Sequence, residues 1–250
     1  MIERFYNQLS PYYKYIFQDW DASVERQATI LDEVIREYFN GNVHSILDAA
    51  CGIGTQTFGL TQKGYKLTAS DISSGEIEKA RLEASRRNLN INFHVADMRN
   101  LQGIFHEQFD LVIACDNAIP HLLTDVEIRK AFEQFHKISS EWGGCMVSVR
   151  DYDALERNGT KLYPRQVHNV PDGKIVVFDR WDFDGEYYDI TIYVVEDTGQ
   201  ATVNAHVIRG GRYYCVPISR LENLMREAGF KTVVTLRDRF YQPLIVGLKA

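Results

Sequence analysis

Apolar and polar residues follow two periods along this chain, and the change of period divides it. Residues 23 to 39, SVERQATILDEVIREYF, repeat apolar positions at helical spacing, with Ser23 placed to cap the start and Arg26 in the first turn. HSILDAA (44–50), KLTASDI (66–72), INFHVAD (91–97), FDLVIACDN (109–117) and GCMVSVRDY (144–152) are short apolar runs of strand type. The segments TQTFGLTQKG, SGEIEKARLEASRRN and DVEIRKAFEQFHKIS that separate them have helical spacing, the first stopped by Gly64. This alternation predicts an α/β fold built of βαβ units on a parallel sheet. After residue 150 the rhythm breaks. KIVVFDRWDF and YYDITIYVVED flank Asp184-Gly185-Glu186, a hairpin signal, and ATVNAHVI follows Thr198-Gly199, so a local antiparallel meander is expected. The helical ISRLENLMREAGF and the strands KTVVTLRD and PLIVGLKA close the chain. The expected organisation is one domain, 1–250. An aromatic-rich helical cap spans 1–40 and a ligand-binding core 41–150. An inserted β layer on the acceptor side spans 155–212, and a final helix and strand pair 213–250.

Composition narrows the function classes. Of 250 residues, 45% are hydrophobic and 25% charged, which suffices for a packed core. A net charge of −6 disfavours binding along a nucleic acid. No run is long enough to cross a bilayer, and MIERFYNQLS has no apolar signal core, so a cytoplasmic protein without membrane contact is expected. Cys51, Cys115, Cys145 and Cys215 are scattered without a CxxC, as free thiols in a reducing compartment would be. Asp151, Asp153 and Glu156 fall in a post-strand loop and are read as solvated, so no metal is expected.

The chemistry gathers at the first strand–helix turn, LDAACGIGT. A run ending in Asp48 passes Gly52 and Gly54 before its helix. Ligands of open parallel sheets collect at such carboxyl ends. Asp71 ends the second strand, where an acid accepts from a ribose diol and repels a 2′-phosphate. Asp97 ends the third strand beside Met98, a pairing that suits an adenine amino group and its ring. Either acid alone also fits a helix or turn cap. The loop lacks the third glycine that packs a helix beneath a pyrophosphate, which favours an adenosine ligand over NAD.

In this order, LDAACGIG, SDIS, ADMRNL and FDLVIACDN resemble the class I S-adenosylmethionine-dependent methyltransferases over roughly residues 40 to 150. The resemblance implies a doubly wound, mostly parallel, seven-stranded Rossmann-like sheet with an antiparallel last strand. It implies S-adenosylmethionine as cofactor and S-adenosylhomocysteine as its product. Ala50 and Gly52 would contact the methionine part, Asp71 the ribose, Asp97 and Met98 the adenine, with Cys115 beneath the ligand and Asp48, Gly54 and Ile72 also binding the cofactor. IACDNAIPHL, VRDYD and RYYCVPISRLENLM are similar to segments of the glycine and sarcosine N-methyltransferases. That likeness implies that Asn117 and Tyr214 meet the acceptor and that Arg150 grips its carboxylate. It implies that His121 and Tyr6 stand at the reacting centre and that Arg26 holds the cofactor's carboxylate. From the residues alone, His121 is either a general base or a helix-start histidine bonded to backbone. Arg150 is either an anion ligand or a surface partner of Asp151 or Asp153.

The expected activity is therefore methyl transfer to a small molecule, foremost the amine of an amino acid such as glycine or sarcosine. O- or C-methylation of another metabolite is the alternative. An NAD(P)-dependent oxidoreductase and a non-catalytic nucleoside-binding module are the readings from other classes. The protein is expected to act on a small-molecule acceptor, as a monomer or homo-oligomer.

Overall fold

The computed structural model describes residues 2–250. A short helix, α1 (Ile2–Leu9), buries Phe5 and Leu9. The long helix α2 (Trp20–Tyr38) starts earlier than its apolar periodicity predicts. Asp19 caps it by accepting from the Ala22 N–H, while Ser23 lies inside the helix and is buried. The acid supplies the acceptor that the first orphan N–H groups need, and Ser23 is left to packing.

The core follows as β1 (Ser45–Asp48), α3 (Thr55–Gln62), β2 (Lys66–Asp71), α4 (Ser74–Arg86), β3 (Asn92–Val95), β4 (Phe109–Ala114), α5 (Asp125–Ile138) and β5 (Ser139–Ser148). β1 to β4 are shorter than their apolar runs, because the last residues of each run lie in the loops at the strands' carboxyl ends. The β5 strand begins directly after α5 and ends at Ser148, so Arg150 lies beyond it. The insert comprises β6 (Thr160–Val170), β7 (Gly173–Asp184), β8 (Tyr187–Asp197) and β9 (Asn204–Tyr214), and α6 (Ile218–Glu227), β10 (Thr232–Leu236) and β11 (Leu244–Leu248) finish the fold. The main sheet has seven strands in the order β10-β11-β5-β4-β1-β2-β3. β1 to β5 pair in parallel, and β11 is antiparallel to β5. Its order reverses between β1 and β4, which opens the crevice where such sheets hold ligands.

The insert is a separate antiparallel sheet of four strands, β6-β7-β8-β9. β6 escapes the hydrophobic pattern because Pro164 sits inside it. An edge position and a register shift between Pro164 and Gln166 accommodate the missing N–H. Along β7, Ile175, Val177, Asp179 and Trp181 are buried while their neighbours face outward. This inner face joins Phe5, Leu9, Tyr152 and the α5 and α6 faces in one apolar cluster. The insert therefore lies over the carboxyl ends of β4 and β5.

Candidate active site

A cavity of about 290 Å³ lies at those carboxyl ends. Tyr6 and Tyr13 form part of its roof, Ala50, Cys51, Gly52 and Thr55 its first turn, and Asp71, Ile72, Asp97 and Met98 one side. Cys115, Asp116, His121 and Leu122 form the other side. The turn after β1 needs glycine for two different reasons. Gly54 has φ +97°, and a Cβ there would lie 2.5 Å from the Phe58 ring. Gly52 has φ +52°, but a Cβ there meets only a Glu76 carboxylate oxygen at 3.8 Å. Gly54 thus folds the turn and stays off the cavity wall, whereas Gly52 leaves space on the ligand side.

Asp71 organises this turn. Its carboxylate accepts from the N–H of Gly52 and of Ser73, each at 2.9 Å. Burial pushes its pKa up against these bonds. The Ser73 N–H is thereby taken from Glu76, the third residue of a Ser-x-x-Glu helix start that would otherwise reach back to it. Both oxygens of Glu76 are buried without a partner, and burial raises its pKa well above the usual range. Asp97 accepts at 2.9 Å from the backbone N–H and from Nε of Arg99, which also reaches Glu127. Burial works to raise the Asp97 pKa, but the bonds from Arg99 outweigh it and hold the carboxyl low. Asp48 lies behind the wall, accepting from the Thr57 hydroxyl at 2.6 Å, and burial lifts its pKa to about 7.

On the opposite side, the His121 Nδ1 faces the Arg212 carbonyl at 2.9 Å and Nε2 faces the Tyr6 hydroxyl at 2.7 Å. A carbonyl only accepts, so Nδ1 carries the proton. Burial, with the nearby Arg150 charge, lowers the pKa to about 4, so the ring is neutral and Nε2 accepts from Tyr6. The Tyr6 proton therefore points to His121, and the Tyr6 oxygen also stands near the Tyr213 hydroxyl. Behind the histidine runs an aromatic stack. The rings of His121 and Tyr213 are 3.9 Å apart, Tyr213 and Tyr188 4.8 Å, and Tyr188 and Trp181 4.7 Å. Arg150 lies over Trp181 at 4.4 Å and donates from Nη1 to the Tyr188 hydroxyl at 2.8 Å. Among the described residues no carboxylate pairs with it, and neighbouring Asp151 pairs with Arg237.

Five further residues named from the sequence lie off the cavity wall. Tyr214 pairs across the sheet with Tyr187 on the outer face, and the alternation of the strand brings Tyr213 inward in its place. Arg26 is exposed and bonds the Ser23 hydroxyl at 3.0 Å, away from the cavity. Asn117 is buried behind the wall. Its Nδ2 donates to the Tyr152 hydroxyl at 2.8 Å, and its Oδ1 accepts from the Arg150 N–H at 3.0 Å, so it positions Arg150. Gly54 and Asp48 support the turn without lining the cavity. Asp116 and Tyr13 line the cavity, and Tyr188 and Tyr213 stack behind His121, without having been named from the sequence. Tyr13 and Tyr213 lie in the aromatic-rich cap and in the Tyr-Tyr pair, which were the available signals.

The cavity suits a phosphate-free, cationic nucleoside. Its wall carries Asp71, Asp97 and Asp116, and its one arginine, Arg99, is tied to Asp97 and Glu127. A pyrophosphate would meet carboxylates there. A methyltransferase-domain family model matches residues 46–143. The glycine/sarcosine N-methyltransferase of Parasynechococcus marenigrum (strain WH8102) is 26% identical over 224 residues, 88% of this chain and 73% of the relative. That of Halorhodospira halochloris is 24% identical over 229 residues, 88% and 76% of the two chains.

Residues 46–143 form a methyltransferase domain, and the enzyme is S-adenosylmethionine-dependent.

Solved structures agree on the fold of the methyltransferase. The S-adenosylmethionine-bound amino pentose methyltransferase CalS10 of Micromonospora echinaspora has a TM-score of 0.77 at 16% identity, covering 91% of this chain and 92% of its own. Streptomyces venezuelae DesVI gives 0.77 at 18% identity, covering 93% of each chain. S-adenosylmethionine is the methyl donor. Among the described residues no cluster of side chains could hold a metal ion, and no helix is long and apolar enough to cross a membrane.

Proposed function

We propose that the enzyme methylates the amine of a small amino acid such as glycine or sarcosine. The single observation that carries this reading is Arg150, a guanidinium packed among Trp181 and Tyr188 with no carboxylate partner among the described residues. An enclosed, unpaired cation is costly and is matched best by an anion brought in from outside, and a guanidinium grips a carboxylate with two parallel bonds. Two relatives that align over most of the chain are named glycine/sarcosine N-methyltransferases, which supports the same acceptor class.

Bound S-adenosylmethionine supplies a methyl group on a sulfonium, open to in-line displacement. The chain's part is to bind and align. Asp71 and the open face of Gly52 take the ribose side, Asp97 and Met98 the adenine. Arg150 holds the acceptor's carboxylate, with its backbone fixed by Asn117. The Tyr6 oxygen, its proton turned to His121, accepts from the amine N–H and aims the nitrogen lone pair at the methyl carbon. A neutral amine reacts without a strong enzymatic base, and neutral, weakly basic His121 is consistent with that demand. The site lies within a chain that we place in the cytoplasm.

A radiomethyl screen over amino acids, their esters and simple amines tests the reading. Turnover of glycine or sarcosine and none of their esters is the expected result. Faster turnover of an uncharged alcohol or phenol would replace amine methylation by O-methylation.

A further inference from the structure

Two charges at this site have no opposite partner among the described residues, and they stand at the ends of neighbouring strands. Arg150 lies two residues past β5, and Asp116 two residues past β4. The strands are in register there, Ala114 against Val147. The charged pair nearby is self-contained, since Arg165 meets Asp179 at 2.6 Å.

Arg150 feels the Asp116 charge, yet the two form no ion pair. Asp116 and Asn117 both adopt left-handed conformations, φ +56° and +65°, which two successive non-glycine residues rarely do. The strained turn is held by the Ser148 hydroxyl, which accepts the Asp116 N–H at 2.7 Å, and by the Ser148 carbonyl, which accepts the Asn117 N–H at 2.9 Å. Strain fixed in this way marks positions whose direction matters. The result is that Asp116 lines the cavity while the Arg150 side chain turns to Trp181 and Tyr188. Gln242 Nε2 makes only a long contact with Asp116, 3.4 Å, and the Tyr241 hydroxyl stands near the same carboxylate, so no cation pairs with it. The rings of Tyr6 and Tyr13, stacked at 6.3 Å, line the same cavity. A carboxylate beside aromatic faces is the chemistry that holds an alkylated ammonium.

We propose that Asp116 is the amine-side binding residue of the acceptor. It pairs with the cationic nitrogen of a zwitterion whose carboxylate lies on Arg150, and it stabilises the positive charge that each methylation places on that nitrogen. The assignment rests on the amino-acid reading above. It adds that the site selects a cationic head, so that a substrate amine, its protonated form and its more methylated products are all held at one point.

The test uses two probes of the same shape. Trimethylglycine carries a quaternary nitrogen, and 3,3-dimethylbutyrate has carbon in its place. Each is titrated by calorimetry into the S-adenosylhomocysteine complex of the wild type, Asp116→Asn and Asp116→Gly. Asparagine and glycine both tolerate the left-handed turn, so the fold is retained and melting temperature checks it. The wild type should prefer trimethylglycine by about 10-fold or more, and both variants should bind the two probes within about twofold of each other. Affinity for S-adenosylhomocysteine should stay within about twofold in all three proteins. Equal affinity for both probes in the wild type, or a preference unmoved in the variants, overturns the role of Asp116 and leaves the Arg150 reading standing. Failure of the wild type to bind either carboxylate overturns the amino-acid reading and this assignment with it.

Discussion

Replacing Arg150 by methionine keeps the aliphatic stem and removes the guanidinium. In the free enzyme the loss is one hydrogen bond to the Tyr188 hydroxyl and one contact over Trp181. Each is worth about 1 kcal/mol, and the removed charge no longer has to be kept among aromatic side chains, so the melting temperature should change by only a few degrees. The backbone N–H of residue 150 still donates to Asn117 Oδ1, so the loop stays in place. Acceptor binding should respond far more strongly. Losing one partner of an enclosed ion pair costs about 2–5 kcal/mol, which raises the acceptor KM by roughly 30-fold to several thousand-fold. S-adenosylmethionine affinity should stay within about twofold, because the cofactor side of the cavity is lined by Ala50, Gly52, Asp71, Asp97 and Met98 and not by Arg150. Arg150→Lys should recover part of the loss, since an ammonium keeps the charge without the two-pronged geometry. Steady-state kinetics on the amino acid found by the radiomethyl screen, with calorimetry for the cofactor, give both numbers. Normal acceptor KM in a folded Arg150→Met enzyme would refute the reasoning and leave Arg150 as a packing residue for Trp181.

Other perturbations separate the remaining roles. Asp71→Ala should weaken S-adenosylmethionine binding by about 1–3 kcal/mol, and unchanged affinity by calorimetry would remove Asp71 from the site. Gly52→Val should lose cofactor binding with modest strain, because the protein itself leaves room there, whereas Gly54→Ala should destabilise the fold by forcing Phe58 aside. Thermal melts of the two variants with and without cofactor distinguish these outcomes. Asp48 has a folded pKa raised to about 7, so its contribution to stability is full below about pH 4 and lost as pH rises through 7. Asp48→Asn should accordingly stabilise the protein by about 1–3 kcal/mol at pH 8 and give no gain at pH 4, as denaturant melts at the two pH values would report. His121, held at about 4, binds its proton more readily when unfolded, so the stability it confers is full above about pH 6.5 and falls as pH drops towards 4. The rate profile should then have no histidine limb between pH 6 and 7, and a limb there that vanishes in Tyr6→Phe would contradict the neutral pair.

The local sequence determined the parallel core and its ligand edge. Strand and helix periods, the glycine turn and the acids at strand ends are properties of contiguous residues, and the cavity gathers Ala50, Gly52, Asp71, Ile72, Asp97, Met98 and Cys115 from them. Tyr6 and His121 were named from segment likeness, and only the fold supplies the 2.7 Å contact across 115 positions that makes them a pair. Tertiary structure alone decided which of two adjacent tyrosines turns inward, because cross-strand register sets Tyr213 against Tyr188 and Tyr214 against Tyr187. It also took Asn117 for Tyr152 and the Arg150 backbone, and left Arg26 on the surface. β6 was hidden by a proline that only an edge strand tolerates. Asp116 was hidden for a related reason. Its left-handed backbone is imposed by Ser148 from the neighbouring strand, and local sequence carries no mark of a constraint that arrives from 32 residues away.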